Sequence, residues 1–92
     1  MWRVTSQTIA GYHEEYSTAV MNLVTPMAEQ GITSGEPAPI VDVLPDGKEL
    51  RHREFTVQAA AQQYVDLLNT YPELVTVIEF KEILSEPVSN PE

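Results

Sequence analysis

Residues 40–54 read Ile40-Val41-Asp42-Val43-Leu44-Pro45-Asp46-Gly47-Lys48-Glu49-Leu50-Arg51-His52-Arg53-Glu54, two β-prone runs on either side of Pro45-Asp46-Gly47. Proline presets the first turn angle, aspartate suits the second position, and glycine takes the left-handed one. The stretch predicts a β-hairpin. A two-residue Asp46-Gly47 turn would pair Asp42 with Arg51, whereas a three-residue loop with a glycine bulge would pair Val41 with Arg51. The Pro-Asp-Gly order favours the bulged form. In either register alternation sets Leu50 and His52 on one face and Arg51 and Arg53 on the other.

On the N-terminal side, residues 33–39 (Thr-Ser-Gly-Glu-Pro-Ala-Pro) form a loop by composition. Before it, Tyr16, Ala19/Val20, Leu23 and Met27 recur at three- and four-residue steps, with Glu14 and Glu15 in the first turn and Gly31 past the end. That spacing predicts an amphipathic helix over about residues 12–30, kinked or broken near Pro26, which deletes the bond to the Asn22 carbonyl. Trp2 to Ile9 is rich in β-formers and reads as a strand, with Trp2, Val4 and Ser6 on one face.

On the C-terminal side, Thr56 is placed to cap a second helix with apolar positions Val57, Ala60/Ala61, Tyr64, Val65, Leu68 and Tyr71, closed by Pro72. Leu74 to Leu84 reads as the last strand, with Leu74, Ile78, Phe80 and Leu84 on one face and Val75, Val77 and Ile83 on the other. The order is βαββαβ. With right-handed crossovers it predicts the α+β ferredoxin-like plait, a four-stranded antiparallel sheet with two helices on one face, as a single domain over residues 1–84. Residues 85–92, with Pro87 and Pro91, are expected to form a flexible acidic tail.

Composition removes several classes of function. The chain has 92 residues, 14 acidic and 5 basic side chains, and a net charge of −9. Five cations are too few for a phosphate-backbone binder, so no direct nucleic-acid binding is expected, and the balance disfavours an anionic membrane surface. With no cysteine, disulfides, thiolate metal sites and thiol nucleophiles are all absent. No signal peptide or run of 18 apolar residues is evident, which leaves a cytoplasmic location as the expectation. Metal and cofactor sites are not expected either, since phosphate-loop, nucleophile-elbow, zinc-protease and calcium-loop patterns are missing.

The titratable residues give weak site candidates. His13 stands beside Glu14 and Glu15 in the first turn of helix one, where carboxylates stabilise the helix dipole and a solvated histidine is the plain expectation. His52 is the stronger candidate for acid–base work, with Asp42 or Glu54 as a carboxylate that could fix its tautomer, against the plainer alternative of a structural or interface role. Arg51 and Arg53, two apart on one strand face, have the chemistry to grip a carboxylate or phosphate, against the plainer alternative of pairing with Glu49, Asp42 or Glu79.

If the helices cover the face bearing Leu74, Ile78 and Phe80, then Val75, Val77 and Ile83 lie on an open sheet face that needs covering. The leading expectation is therefore a small interaction module: a homo-oligomer, adaptor or inhibitor docking through Val75, Val77 and Ile83 or its acidic surface, with binding rather than catalysis as its expected role. The alternative is a cofactor-independent enzyme or small-ligand binder of the dimeric α+β barrel kind, with a pocket between sheet and helices and with His52, Asp42, Arg51 and Trp2 as its residues. A nucleic-acid mimic is a lesser alternative. Over half the net charge, −5 of −9, lies in residues 61–92, which fits solubility better than mimicry.

Overall fold

A computed structural model describes residues 1–11, 13–33 and 40–83. The elements run β1 (Trp2–Thr8), α1 (Glu14–Glu29), β2 (Ile40–Val43), β3 (Glu49–Phe55), α2 (Gln58–Leu68) and β4 (Val75–Glu82). The four strands form one sheet in the order β2-β3-β1-β4, with every neighbouring pair antiparallel. This is the ferredoxin-like α+β plait expected from the element order. The expected tail at residues 85–92 and most of the loop at 33–39 lie outside the described residues. Among the described residues no helix is long and apolar enough to cross a membrane.

The hairpin takes the three-residue form. Leu44 N–H donates to the Lys48 carbonyl at 2.8 Å, Gly47 N–H donates to Leu44 at 2.8 Å, and Gly47 holds the left-handed conformation at φ 90°. Asp46 secures the turn by accepting the Lys48 N–H at 3.0 Å. Val43 pairs with Glu49 and Asp42 with Leu50, but a register shift then brings Ile40 rather than Val41 opposite Arg51. The expected Val41–Arg51 pairing is thus corrected by one residue.

Helix α1 runs through Pro26 and ends one turn later. The carbonyl deprived of its donor belongs to Asn22, an exposed residue, so water can serve it. The helix closes on Gly31 at φ 77°, with Gly31 N–H donating to Ala28 at 3.0 Å and Ile32 N–H to Met27 at 2.9 Å, the paired bonds of a Schellman motif. Thr33 Oγ1 then donates to the Glu54 carbonyl at 2.7 Å, which fastens the end of α1 to β3. Helix α2 differs from expectation at both ends. Val57 is its N-cap, without a side-chain cap bond, while Thr56 N–H donates to Ile32; Tyr71 lies in the turn beyond the helix.

The sheet faces correct the largest expectation. Thr5 pairs with Glu79 and Ser6 with Val77, so Ile78 is an extra residue, a β-bulge that reverses the alternation of β4. Val75 and Val77 therefore lie on the same side as Thr8, Ser6 and Val4, under the helices, and beyond the bulge Phe80 joins them opposite Val4. Val75 is 4 % exposed and belongs to the core; Val77 and Phe80 pack against it, and Ile78 is 51 % exposed. Ile83 is half-buried, its N–H donating to the Met1 carbonyl at 2.8 Å. The row Val75, Val77, Ile83 is consequently not an apolar patch on the open face.

That open face is polar. Arg3 lies directly across from Glu54, and its Nη2 and Nε donate to one carboxylate oxygen at 2.8 and 3.1 Å; Lys81 reaches Glu79 at 3.5 Å. Such partly exposed pairs, one across strands and one along β4, contribute under about 1 kcal/mol each.

The bulge has a direct test in chemical denaturation. Val75→Ala removes buried methyl groups and should cost about 1.5–3 kcal/mol, whereas Ile78→Ala should change stability by less than about 0.5 kcal/mol. The opposite ranking would place Ile78 in the core and contradict the register.

Candidate functional site

Alternation in β3 decides what lies beneath the helices. Phe55 is fully buried, packed on Tyr64 of α2 with ring centres 5.3 Å apart. Counting back in steps of two from Phe55 puts Arg53, Arg51 and Glu49 on the same side, opposite Val4, Ser6 and Thr8 of β1. Half of the helix-facing sheet is thus polar. The C-terminal half of α1 finds an apolar partner, and Val24 and Met27 are buried there. Its N-terminal half overlies the charged residues, and between them a cavity of about 840 Å³ opens.

The cavity is walled by His13, Tyr16, Ser17, Val20 and Met21 from α1 and its cap, Thr8 and Ile9 from β1 and its end, Glu49, Arg51 and Arg53 from β3, and Tyr64 from α2. Its volume lies within the range of roughly 300–1,000 Å³ typical of small-molecule sites. Arg53 is 4 % exposed, with its guanidinium carbon 5.3 Å from the centre of the Tyr64 ring, a cation–π contact worth up to about 2 kcal/mol when desolvated. Arg51 Nη2 donates to Glu49 Oε1 at 2.7 Å, and the two side chains are only 26 % and 24 % exposed. A guanidinium does not lose its proton in a protein, so both arginines present fixed positive charge.

Tyr16 projects from the first turns of α1 and is steadied edge-on by Tyr71, ring centres 5.4 Å apart. Burial, reinforced by the neighbouring Tyr64, pushes its phenol up to about 12, against the opposing influence of Thr8, Arg51 and Arg53. Tyr16 is therefore a proton-bearing donor throughout the physiological range. His13 is the N-cap of α1 and makes no side-chain cap bond. Its Nε2 is buried with no hydrogen-bond partner among the described residues, so the solvated histidine expected from the sequence is instead part of the cavity wall.

The candidates named from sequence are not brought together. Arg51 reaches the cavity, but His52 is opposite Thr5 on the other sheet face, and Asp42 is exposed on edge strand β2, where its carboxylate accepts the Val43 N–H at 2.8 Å. Trp2 packs edge-on against Phe80, ring centres 5.9 Å apart, and is not part of the wall. Sequence reasoning missed His13, Tyr16 and Arg53 as a group. The signal was the shared parity of Phe55, Arg53, Arg51 and Glu49. Among the described residues no group of three His, Asp or Glu side chains could hold a metal ion. We find no matching family model, curated protein or solved structure, so the chemistry has to be argued from these side chains.

The Tyr16 environment predicts a pH dependence. An unfolded tyrosine ionises near 10 and the folded Tyr16 near 12, so between these values only the unfolded chain releases this proton and stability falls as pH rises. Ultraviolet titration should show a late phenol step, and Tyr16→Phe should remove that step and flatten the loss of stability between these pH values. A late step that survives the substitution belongs to another tyrosine and contradicts the assignment.

Proposed function

We propose that this chain is a small-ligand-binding domain of the dimeric α+β kind, with its site in the cavity between α1 and the sheet. The observation that carries the reading is the cavity itself: about 840 Å³ at the boundary of helix and sheet, walled by two arginines, a tyrosine held protonated and a histidine with a free ring nitrogen among the described residues. An apolar enclosure with a few convergent polar groups is the usual form of a ligand site. The wall carries groups suited to holding and polarising a ligand, and among the described residues no hydroxyl is hydrogen-bonded to His13 Nε2 as a nucleophile to its base. Binding is accordingly the primary role in this reading, with catalysis by His13 and Tyr16 as an extension of it.

A panel of small neutral and charged aromatic compounds, followed by backbone amide NMR, tests the proposal. Shifts should cluster at Thr8, Tyr16 and Arg51, and Ser17→Trp, which fills the cavity from an already half-buried position, should abolish them while the protein stays folded. Shifts confined to other surfaces, or unaffected by the filled cavity, would refute it.

Self-association is the second part of the reading and is supported by residues other than those first expected. Edge strand β2 exposes Ile40, Val41 and Val43 at 48, 47 and 60 %. An exposed apolar edge strand is a template for pairing with another chain, here a second copy. Sedimentation should give a dimer that Val43→Lys converts to monomer; a wild-type chain that stays monomeric at all concentrations would remove this part of the proposal.

A further inference from the structure

Thr8 and His13 bring to the cavity wall polar atoms that no described residue satisfies. Thr8, at the end of β1, is 7 % exposed, and its Oγ1 is buried without a hydrogen bond among the described residues. Its hydroxyl acts on the neighbouring Tyr16 phenol, easing its ionisation, without coming into hydrogen-bonding geometry with it. His13, the cap of α1, has its Nε2 buried in the same condition, beside Gly11, where a Cβ would stand 3.8 Å from that nitrogen. Both groups stand at the end of the cavity where β1 hands the chain to α1. A buried hydroxyl or ring nitrogen left unpaired is costly, so two of them on one cavity wall point to a group that arrives with a ligand. Arg51 and Arg53 are engaged by partners within the folded chain, whereas Thr8 and His13 have hydrogen-bonding capacity to offer.

Resting on the ligand-binding reading above, we infer that the cavity takes a small, neutral, hydroxylated aromatic compound, its hydroxyl bonded to Thr8 Oγ1 and His13 Nε2 and its ring against Val20 and Met21. A hydroxyl both donates and accepts, so it matches a threonine hydroxyl and either tautomer of a neutral imidazole at once. A carboxylate only accepts and an ammonium only donates, and each would bring a charge into a space where water is scarce. The ring complements the rest of the wall. Methionine sulfur and tyrosine rings make favourable contacts with an aromatic partner, and Ile9 and Val20 add aliphatic surface to the same space.

The probes are a naphthol and naphthalene itself, titrated against the full chain at neutral pH, where the naphthol is uncharged, and followed by amide NMR. The naphthol should bind about fivefold or more tightly, the factor that one hydrogen bond supplies net of solvation. Thr8→Val keeps the shape of the side chain and removes its hydroxyl, and it should erase most of that preference while naphthalene affinity stays the same. Because this hydroxyl has no partner among the described residues, the same variant should unfold at an equal or higher denaturant concentration than the wild type. His13→Phe should likewise cost the preference, and the absence of a side-chain cap bond at this position lets α1 form without the imidazole. Equal affinity for the two probes, a preference untouched by both substitutions, or a Thr8→Val chain that unfolds earlier would overturn the hydroxyl assignment and leave the cavity as a ligand site of another kind. Failure of both probes to shift any cavity resonance would overturn the ligand-binding reading as well.

Discussion

The buried position of Arg53 is the constraint on which the rest of this structure depends. Phe55 is too large and apolar to leave outside, and once it anchors the end of β3 in the core, strand alternation carries Arg53, Arg51 and Glu49 under the helices. A charged row cannot be covered by a close-packed apolar helix face without a large desolvation cost. The fold meets this by burying Val20, Val24 and Met27 further along α1 and leaving space beneath its first turns. The cavity is thus a consequence of where β3 puts its charges.

The bulge at Ile78 completes the same arrangement from the other side of the sheet. β4 carries apolar residues at both parities, and a regular strand would bury only one set. By adding one unpaired residue, the strand turns Val75, Val77 and Phe80 all toward the helices and leaves Arg3, Glu54, Glu79 and Lys81 as a charged outer face. The apolar surface that remains exposed is concentrated in part on β2, at the sheet edge.

Much of the architecture was legible from local signals. Pro45-Asp46-Gly47 is a turn because of its backbone preferences alone, the three- and four-residue spacing from Tyr16 to Met27 marks α1, and the order of elements yields the plait. What could not be read was parity. A bulge leaves no fixed mark in composition, so simple alternation divides the apolar residues of β4 between the faces and points Val75 and Val77 outward. The site is hidden for a different reason: Arg51 and Arg53 share the parity of Phe55, which marks the helix side of β3, but their charge reads as a surface face, and His13 reads as solvated because the stand-off of α1 is a packing outcome with no local code.

The enclosure of Arg53 is open to direct measurement through the exchange of its side-chain Nε–H with water, followed by NMR in the intact protein. Arg53 should exchange markedly more slowly than Arg3, which lies on the partly exposed outer face. Exchange of Arg53 as fast as that of Arg3 would mean that β3 turns its arginines to solvent, and the cavity, its charge and its proposed ligand would all lose their foundation.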